Sequence, residues 1–329
     1  MPSDPSRDIL AKKRIQSILR KHGIATMRTL EQKISDAGPF PQRIDPHVLQ
    51  NAVTKLAQEN VITIETFNGT SLQWIHLTSK PLTTLQNRLK EQQHIHRKFE
   101  SGGLNQRIGQ TLEIAVFKAL KGSPFIFLGN YPDLDSHDDS TLYTKEEPPA
   151  SISGKTLPDK MRLDFILMDS KGKPVGIETK NHREWVYPAH DTVRQLLLKC
   201  VILDAVPVLI ARRIQYLTFR LLTSIGGVVH ENFTQLYPES SRTLAERAKD
   251  KNLLGYHDIK IGNQPDERLI KFIQVNLPKI LPERRDKFDT FKDLAAEYAN
   301  KKMGYAKFLR EISKRSNISL EFFSDEIEF

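Results

Sequence analysis

Residues 162–180 read RLDFILMDSKGKPVGIETK, and this stretch decides the fold of the chain. Two apolar runs flank a turn that contains lysine and glycine, which is the pattern of a β-hairpin. A carboxylate, Asp164, interrupts the first run, and Glu178 with Lys180 ends the second. Buried strands avoid unpaired charges, so these three side chains indicate a chemical role.

The spacing of the charges predicts where they meet. Side chains alternate between the faces of a strand, so Glu178 and Lys180 share one face and Thr179 points to the other. If the turn is centred on Lys171, Asp164 and Glu178 oppose each other across the hairpin. Opposed carboxylates repel unless a cation lies between them, and Mg²⁺ binds one or two carboxylates while keeping several waters. Two acids, a lysine and a metal are suited to phosphodiester hydrolysis.

The segments around the hairpin predict an α/β domain with helices on both faces of a sheet. In chain order we expect a helical break at 101–109, a helix at 110–121, a buried strand at 123–128, an aperiodic loop at 129–160, the hairpin, a helix at about 189–204, a central strand at 206–211, and a last helix and strand up to residue 233.

Asp164, followed by Glu178, Thr179 and Lys180, resembles the active-site signature of the PD-(D/E)XK nuclease superfamily. The order of elements from 106 to 233 is similar to the restriction-endonuclease-like mixed sheet of that family, which is flanked by helices. The resemblance implies that Asp164, Glu178 and the backbone carbonyl of Thr179 bind Mg²⁺, which Mn²⁺ can replace. It also implies that Lys180, like the two acids, is catalytic.

The resemblance implies further site residues on the two neighbouring helices. Glu113, before the sheet, would be a metal-binding and catalytic carboxylate, and Gln195, after the hairpin, would orient substrate or a metal-bound water. Each residue alone is also typical of a solvated helix surface. Leu163 stands where the signature has proline, and the literal Pro158-Asp159 lies outside the apolar strand and out of register.

Residues 1–79 predict three short helices and a β-hairpin whose turn is Asn68-Gly69. This order of elements resembles winged helix–turn–helix domains, in which the third helix enters the major groove of DNA. A protein-docking or dimerisation module is the alternative for such a domain. The polar face of the third helix consists of His47, Gln50, Asn51 and Lys55.

The 329-residue chain has a formal net charge of +9, and an excess of Lys and Arg attracts polyanions such as nucleic acids. Arg183 after the hairpin, and Arg212 with Arg213 after the central strand, are candidates for phosphate contacts; the last two also fit a solvated strand end. The single cysteine, Cys200, excludes an intramolecular disulfide, fits a buried position and suggests a reducing compartment. Without an apolar run of about 18 residues or an evident signal peptide, we expect a cytoplasmic protein with no membrane contact.

We therefore expect four segments: a winged-helix-like domain at 1–79, a linker helix at 80–105, a nuclease core at 106–263 and a helical C-terminal extension at 264–329. The expected function is Mg²⁺-dependent hydrolysis of double-stranded DNA, of the restriction, defence or DNA-processing type. Cutting both strands with one active site per chain would call for a homodimer, and the sequence leaves the oligomeric state open. The alternatives are a non-catalytic DNA-binding regulator or assembly subunit on a nuclease-like scaffold, and a nuclease that acts on RNA.

Overall fold

The structure is a computed structural model of the chain, and it describes residues 5–36, 43–66, 72–99 and 102–316. Contacts divide the described residues into two compact units. The first unit comprises those of 1–104 and 241–259, and the second comprises those of 105–240 and 260–327. The predicted four-segment division stays a prediction.

Helices and strands are interspersed along the described ranges. The helices are α1 (Pro5–His22), α2 (Met27–Ile34), α3 (Pro46–Gln58), α4 (Gln86–Phe99), α5 (Gly102–Leu120), α6 (Asp191–Leu203), α7 (Tyr216–Ser224), α8 (Arg242–Lys249), α9 (Glu267–Lys271), α10 (Leu277–Ala299) and α11 (Tyr305–Ser316). The strands are β1 (Ile24–Thr26), β2 (Ile62–Thr66), β3 (Gln73–Leu77), β4 (Ile126–Phe127), β5 (Ser151–Ile152), β6 (Lys155–Thr156), β7 (Phe165–Met168), β8 (Pro174–Lys180), β9 (Val206–Ala211), β10 (Val228–Glu231), β11 (Gln235–Tyr237) and β12 (Ile259–Ile261).

In the first unit, a three-stranded antiparallel sheet has the order β1-β3-β2. The apolar sides of α1, α2 and α3 pack with it around a core that includes Leu19, Leu30 and Leu49. The three helices and the two hairpin strands expected here are present, whereas the expected turn at Asn68-Gly69 lies outside the described residues. The sequence did not predict β1, because three residues are too few to show strand alternation.

Helix α4, predicted as a linker, is part of the first unit. It buries Leu89, Ile95 and Phe99, and the ring of Phe99 lies 6.3 Å from that of Tyr256. One side of this helix therefore contributes to the packing of the first unit.

The second unit contains a five-stranded sheet in the order β10-β9-β8-β7-β4. Strands β8, β9 and β10 are parallel, and β7 is antiparallel to both β8 and β4. The hairpin of β7 and β8 pairs Phe165 with Ile177 and Met168 with Pro174, which centres its turn on Lys171 as predicted. The predicted mixed α/β class with helices around the sheet is confirmed.

Apolar side chains cover both faces of this sheet. Phe165 and Ile177 pack with α5 on one face, while Leu209 packs with α6, α10 and α11 on the other. Helix α6 approaches β8 closely, because a Cβ atom added at Gly176 would lie only 2.7 Å from Cys200 Sγ. Cys200 is fully buried, as expected, and burial raises the pKa of its thiol.

Two sequence predictions around α5 are wrong. Within the expected break at 101–109, residues 102–109 are helical, because the burial of Leu104 and Ile108 outweighs the roughly 1 kcal/mol that a glycine costs inside a helix. The expected buried strand at 123–128 is reduced to the two residues of β4, which form a sheet edge where Ile126 is 66% exposed.

The C-terminal part of the chain is helical up to residue 316, as expected. A π-helical turn at Phe272–Asn276 joins α9 to α10, and Pro282 lies inside α10 without ending it. None of the helices in the described ranges combines the length and the apolar composition that a membrane span requires.

Candidate active site

The charged residues of the hairpin lie at one edge of the five-stranded sheet. Glu178, Thr179 and Lys180 are the last three residues of β8, and Asp164 directly precedes β7. Lys180 pairs with Ala211 at the end of β9, so the site lies where two parallel strands end. Loops begin at such an edge, which gives it access to a ligand.

Asp164 is fixed by the neighbouring strand. The paired register of β7 and β8 ends at Phe165 and Ile177, one residue before the expected pair of Asp164 and Glu178, so their opposition stays a prediction. Oδ2 of Asp164 accepts hydrogen bonds from the Thr179 amide at 2.7 Å and from the Thr179 hydroxyl at 2.9 Å. The expected role of the Thr179 carbonyl as a metal ligand stays a prediction. The structure adds that the amide and hydroxyl of Thr179 hold Asp164 in place. Oδ1 of Asp164 accepts no hydrogen bond from the described residues.

Glu178 is held by two lysines. Its Oε1 lies 2.8 Å from Lys180 Nζ, and its Oε2 lies 3.0 Å from Lys199 Nζ. Lys199 belongs to α6 and is only 8% exposed. The sequence analysis missed Lys199, although a lysine on the apolar side of a helix, next to the buried Cys200, is a signal that could have found it.

Glu113 reaches the same region from α5. Its Oε2 lies 2.7 Å from Lys145 Nζ, and that ammonium group also lies 3.3 Å from Glu147. Burial and the nearby charge of Asp164 raise the pKa of Glu113, and Lys145 opposes this shift. Lys145 was missed because it lies in the aperiodic loop, where no sequence pattern distinguishes it. We call Glu113, Asp164 and Glu178 with Lys145, Lys180 and Lys199 the acid–lysine cluster.

Lys180 is the member on which all three acids act. Burial alone would lower its pKa, but the charges of Glu178 and Asp164, the hydrogen bond to Glu178 and the charge of Glu113 raise it overall. Lys180 is therefore protonated at neutral pH. It can supply a positive charge to a ligand, and it cannot act there as a base.

Gln195 lies four residues before Lys199 on α6 and is half-buried. Residues four apart share one side of a helix, so Gln195 is on the side of α6 that reaches Glu178. An amide on this side of the helix could bind a water or a phosphate oxygen.

The donor atoms of the cluster fit a hard cation. Carboxylate and carbonyl oxygens are the ligands of Mg²⁺, which needs only one or two carboxylates from a protein. As the side chains of the described ranges stand, with lysines paired to Glu113 and Glu178, no group of three or more His, Cys, Asp and Glu residues could hold a metal ion. A metal ion here would bind Oδ1 of Asp164 and displace a lysine from Glu178. The displacement is chemically feasible because a metal ion and an ammonium group compete for the same carboxylate oxygen.

The predicted phosphate contacts of Arg212 and Arg213 need correction. Arg212 is 2% exposed and donates to the carbonyl of Arg183 at 2.6 Å. Arg213 is 5% exposed and pairs with Glu231 at 2.8 Å. Their side chains turn inward and stabilise the loops at the end of β9, so we remove both from the nucleic-acid-binding set. Arg183 is half-buried and donates to Gln235 at 3.1 Å.

The polar side of α3 in the first unit is largely accessible. Gln50, Asn51 and Lys55 are exposed, and His47 is half-buried, which lowers the pKa of its imidazole. Lys55 Nζ lies 3.1 Å from Asp8 Oδ2 of α1. Ion pairs at the surface are weak, so a DNA phosphate could take the place of Asp8 beside Lys55.

No protein-family model, curated protein or solved structure matches the chain. The geometry of the acid–lysine cluster and the pattern of the sequence are therefore the basis for inferring a function.

Proposed function

We propose that the chain is a metal-dependent endonuclease that hydrolyses phosphodiester bonds in DNA. The observation that carries the proposal is the 2.8 Å pair of Glu178 and Lys180 at the end of β8, next to the start of β7, where Asp164 accepts hydrogen bonds from Thr179. The mixed sheet with helices on both faces supports a restriction-endonuclease-like core of the PD-(D/E)XK type for the second unit.

Each residue of the cluster has a role under this proposal. Asp164, Glu178, Glu113 and the carbonyl of Thr179 would hold Mg²⁺ or Mn²⁺, which when bound polarises a phosphate and acidifies a water. Lys180, protonated at neutral pH, offsets the negative charge that develops on the phosphate.

The flanking residues keep these groups in place. The amide and hydroxyl of Thr179 hold Asp164, and Lys199 holds Glu178 on the side towards α6. Gln195 orients the substrate or a water molecule from the same helix. Fixed partners of this kind keep reacting groups within the narrow geometry that catalysis needs.

The first unit supports DNA as the substrate. Its order of helix, strand, two helices and two strands, with the sheet order β1-β3-β2, supports the proposal of a winged helix. The exposed side of α3 would read the major groove of double-stranded DNA. We further propose that the protein works in the cytoplasm, where its buried thiol stays reduced, and acts as a homodimer when both strands are cut.

A second candidate is a non-catalytic DNA-binding regulator or assembly subunit on the same scaffold. It is favoured by one observation: both oxygens of Glu178 are paired with lysines inside the protein. This candidate predicts duplex binding without metal-dependent hydrolysis.

The test is cleavage of plasmid DNA by the purified full chain with Mg²⁺, Mn²⁺ or EDTA. Asp164→Asn, Glu178→Gln and Lys180→Met should each abolish cutting while duplex binding survives. The control is Glu311→Gln, which breaks an exposed glutamate–lysine pair of the same 2.8 Å length on α11. Duplex binding without cutting by the wild type would favour the second candidate, and undiminished cutting by the three variants would rule out this site. Parallel assays on single-stranded DNA and RNA identify the substrate.

A further inference from the structure

Tyr131 is a buried tyrosine in the loop after β4, and it belongs to none of the roles above. It is 4% exposed. Its ring stacks on Phe117 at 4.4 Å between centroids and on Tyr143 at 5.5 Å, with interplanar angles of 19° and 4°. It also lies nearly parallel to Phe165 at 6.2 Å. Aromatic neighbours on both faces prevent the ring from swinging to another position.

These ring contacts place Tyr131 beside two acids of the cluster. Phe117 follows Glu113 by one turn of α5, and Phe165 is the residue after Asp164. Thr179, whose hydroxyl donates to Asp164, shares a face of β8 with Ile177, and Ile177 belongs to the same apolar cluster as Tyr131 and α5. The Asp164 carboxylate therefore lies on the side of the sheet that Tyr131 covers.

The hydroxyl of Tyr131 is buried and has no hydrogen-bond partner among the described residues. Buried hydroxyl groups almost always have one, because an unsatisfied polar group is unfavourable away from water. The neighbouring Tyr143 follows this rule, since its hydroxyl donates to the carbonyl of Pro132. Because the ring of Tyr131 is fixed, a partner must come to its hydroxyl.

A water molecule satisfies every group at this position. A tyrosine hydroxyl is protonated at neutral pH and can donate a hydrogen bond. The carboxylates of Glu113 and Asp164 are acceptors, and they repel each other. A water accepts from the hydroxyl and donates one hydrogen to each carboxylate, so that it has three partners, the usual number for a buried water. A cation could not accept a hydrogen bond from the tyrosine.

We propose that Tyr131 is a positioning residue that, with Glu113 and Asp164, binds one water molecule and thereby orients this carboxylate pair for a divalent cation. The binding of the water stands on the contacts of Tyr131 alone, whereas the effect on the cation rests on the proposed function. Groups that orient metal ligands through hydrogen bonds typically change metal affinity by about 10–100-fold when they are removed.

The first measurement needs no metal. Tyr131→Phe and Tyr143→Phe are prepared in the full chain, and urea unfolding is followed in EDTA. Both substitutions remove only a hydroxyl, and Tyr143→Phe shows the effect of losing a known hydrogen bond. If the Tyr131 hydroxyl binds water, Tyr131→Phe lowers the unfolding midpoint as Tyr143→Phe does. An unfolding midpoint of Tyr131→Phe above that of the wild type would contradict the proposed bound water, because removing an unsatisfied hydroxyl stabilises a protein.

The second measurement is Mn²⁺ binding, followed by electron paramagnetic resonance or calorimetry without DNA. We expect Tyr131→Phe to bind Mn²⁺ about tenfold more weakly than the wild type, and Tyr143→Phe to bind it equally well. Equal affinity in Tyr131→Phe and the wild type overturns the positioning role while the proposed function stands. If the wild type does not bind Mn²⁺, both the proposed function and the positioning role are overturned. The unfolding measurement then still shows whether the Tyr131 hydroxyl binds a water molecule.

Discussion

The ammonium group of Lys199 lies 3.0 Å from Oε2 of Glu178, and the two residues are 8% and 7% exposed. Lys180 holds the other oxygen of the same carboxylate at 2.8 Å. Glu178 therefore has a fixed orientation that depends on a helix as well as on its own strand. This pair couples the stability of the second unit to the geometry of the candidate active site.

Lys199→Met should lower the free energy of unfolding by about 2–3 kcal/mol, somewhat less than the ~3–5 kcal/mol typical of a broken buried pair, because Lys180 stays in place. Urea unfolding of Lys199→Met, Glu178→Gln and the double variant measures the coupling. We expect the double variant to lose at least ~1 kcal/mol less than the sum of the single variants. The exposed Glu311–Lys314 pair is the control and should show no measurable coupling, because solvent screens exposed ion pairs. Additive effects at Glu178 and Lys199 would contradict the pairing.

Gly176→Ala should lower the free energy of unfolding by about 1–3 kcal/mol, because the new methyl group overlaps neighbouring side chains. The added Cβ would lie 2.7 Å from both Cys200 Sγ and Leu163 Cδ1. Adding Cys200→Ala removes one of these overlaps and should restore part of the loss. Gly109→Ala in α5 is the control: its Cβ meets nothing within 4 Å, so the change should be neutral or stabilising. Equal behaviour of Gly176→Ala and Gly109→Ala would argue against the close approach of α6.

Asp204 should contribute stability that depends on pH. Hydrogen bonds from Lys155 and Lys292 lower the pKa of its carboxyl to about 2. A folded-state pKa below the unfolded value of 3.8 stabilises the protein above that value, and this contribution is lost as the pH falls through about 2. Asp204→Asn should therefore be less stable at pH 7, by less than ~1 kcal/mol because the side chain is partly exposed.

The experiment compares urea unfolding of Asp204→Asn and the wild type between pH 7 and pH 2. Asparagine tolerates the left-handed backbone that residue 204 adopts at the end of α6, so the substitution tests the charge and leaves the backbone unstrained. The difference between the proteins should shrink below about pH 4. A difference that stays constant down to pH 2 would exclude the ion pairs as its cause.

Lys55 and Asn51 should have different effects on duplex binding if α3 enters the major groove. Lys55→Ala should weaken binding to all sequences and reduce the slope of log affinity against log salt by about 1. Asn51→Ala should leave that slope unchanged and alter the preference among sequences. Fluorescence anisotropy in the Asp164→Asn background separates binding from cleavage, with Lys314→Ala on α11 as the control. If both variants kept the salt slope and the sequence preference of the wild type, α3 would not be the helix that contacts DNA.

The hairpin was predictable because its information is local. The alternation of side chains and the symmetric position of Lys171 predict the register, and the paired strands have it. Tertiary packing explains the errors, since the burial of Leu104 and Ile108 extends α5 over glycines that alone favour a break.

Partners that come from distant segments were not predictable. Lys145 lies 32 residues from Glu113, and Lys199 lies 21 residues from Glu178. Neither spacing has a pattern, because the fold, and not the local chain, brings these residues together. Arg212 and Arg213 illustrate the opposite error. Two adjacent arginines at a strand end suggest a phosphate-binding surface, and only the three-dimensional structure reveals that both side chains turn inward.

Two acids of the acid–lysine cluster have internal countercharges, and we expect folding to be independent of any metal ion. Lys145 neutralises Glu113, and Lys180 with Lys199 neutralises Glu178, so neither carboxylate needs a metal ion to balance its charge. A structural zinc domain unfolds when its ion is withdrawn. Here a chelator should leave the melting temperature almost unchanged, and the protein should be purified in a folded state from media that lack divalent ions.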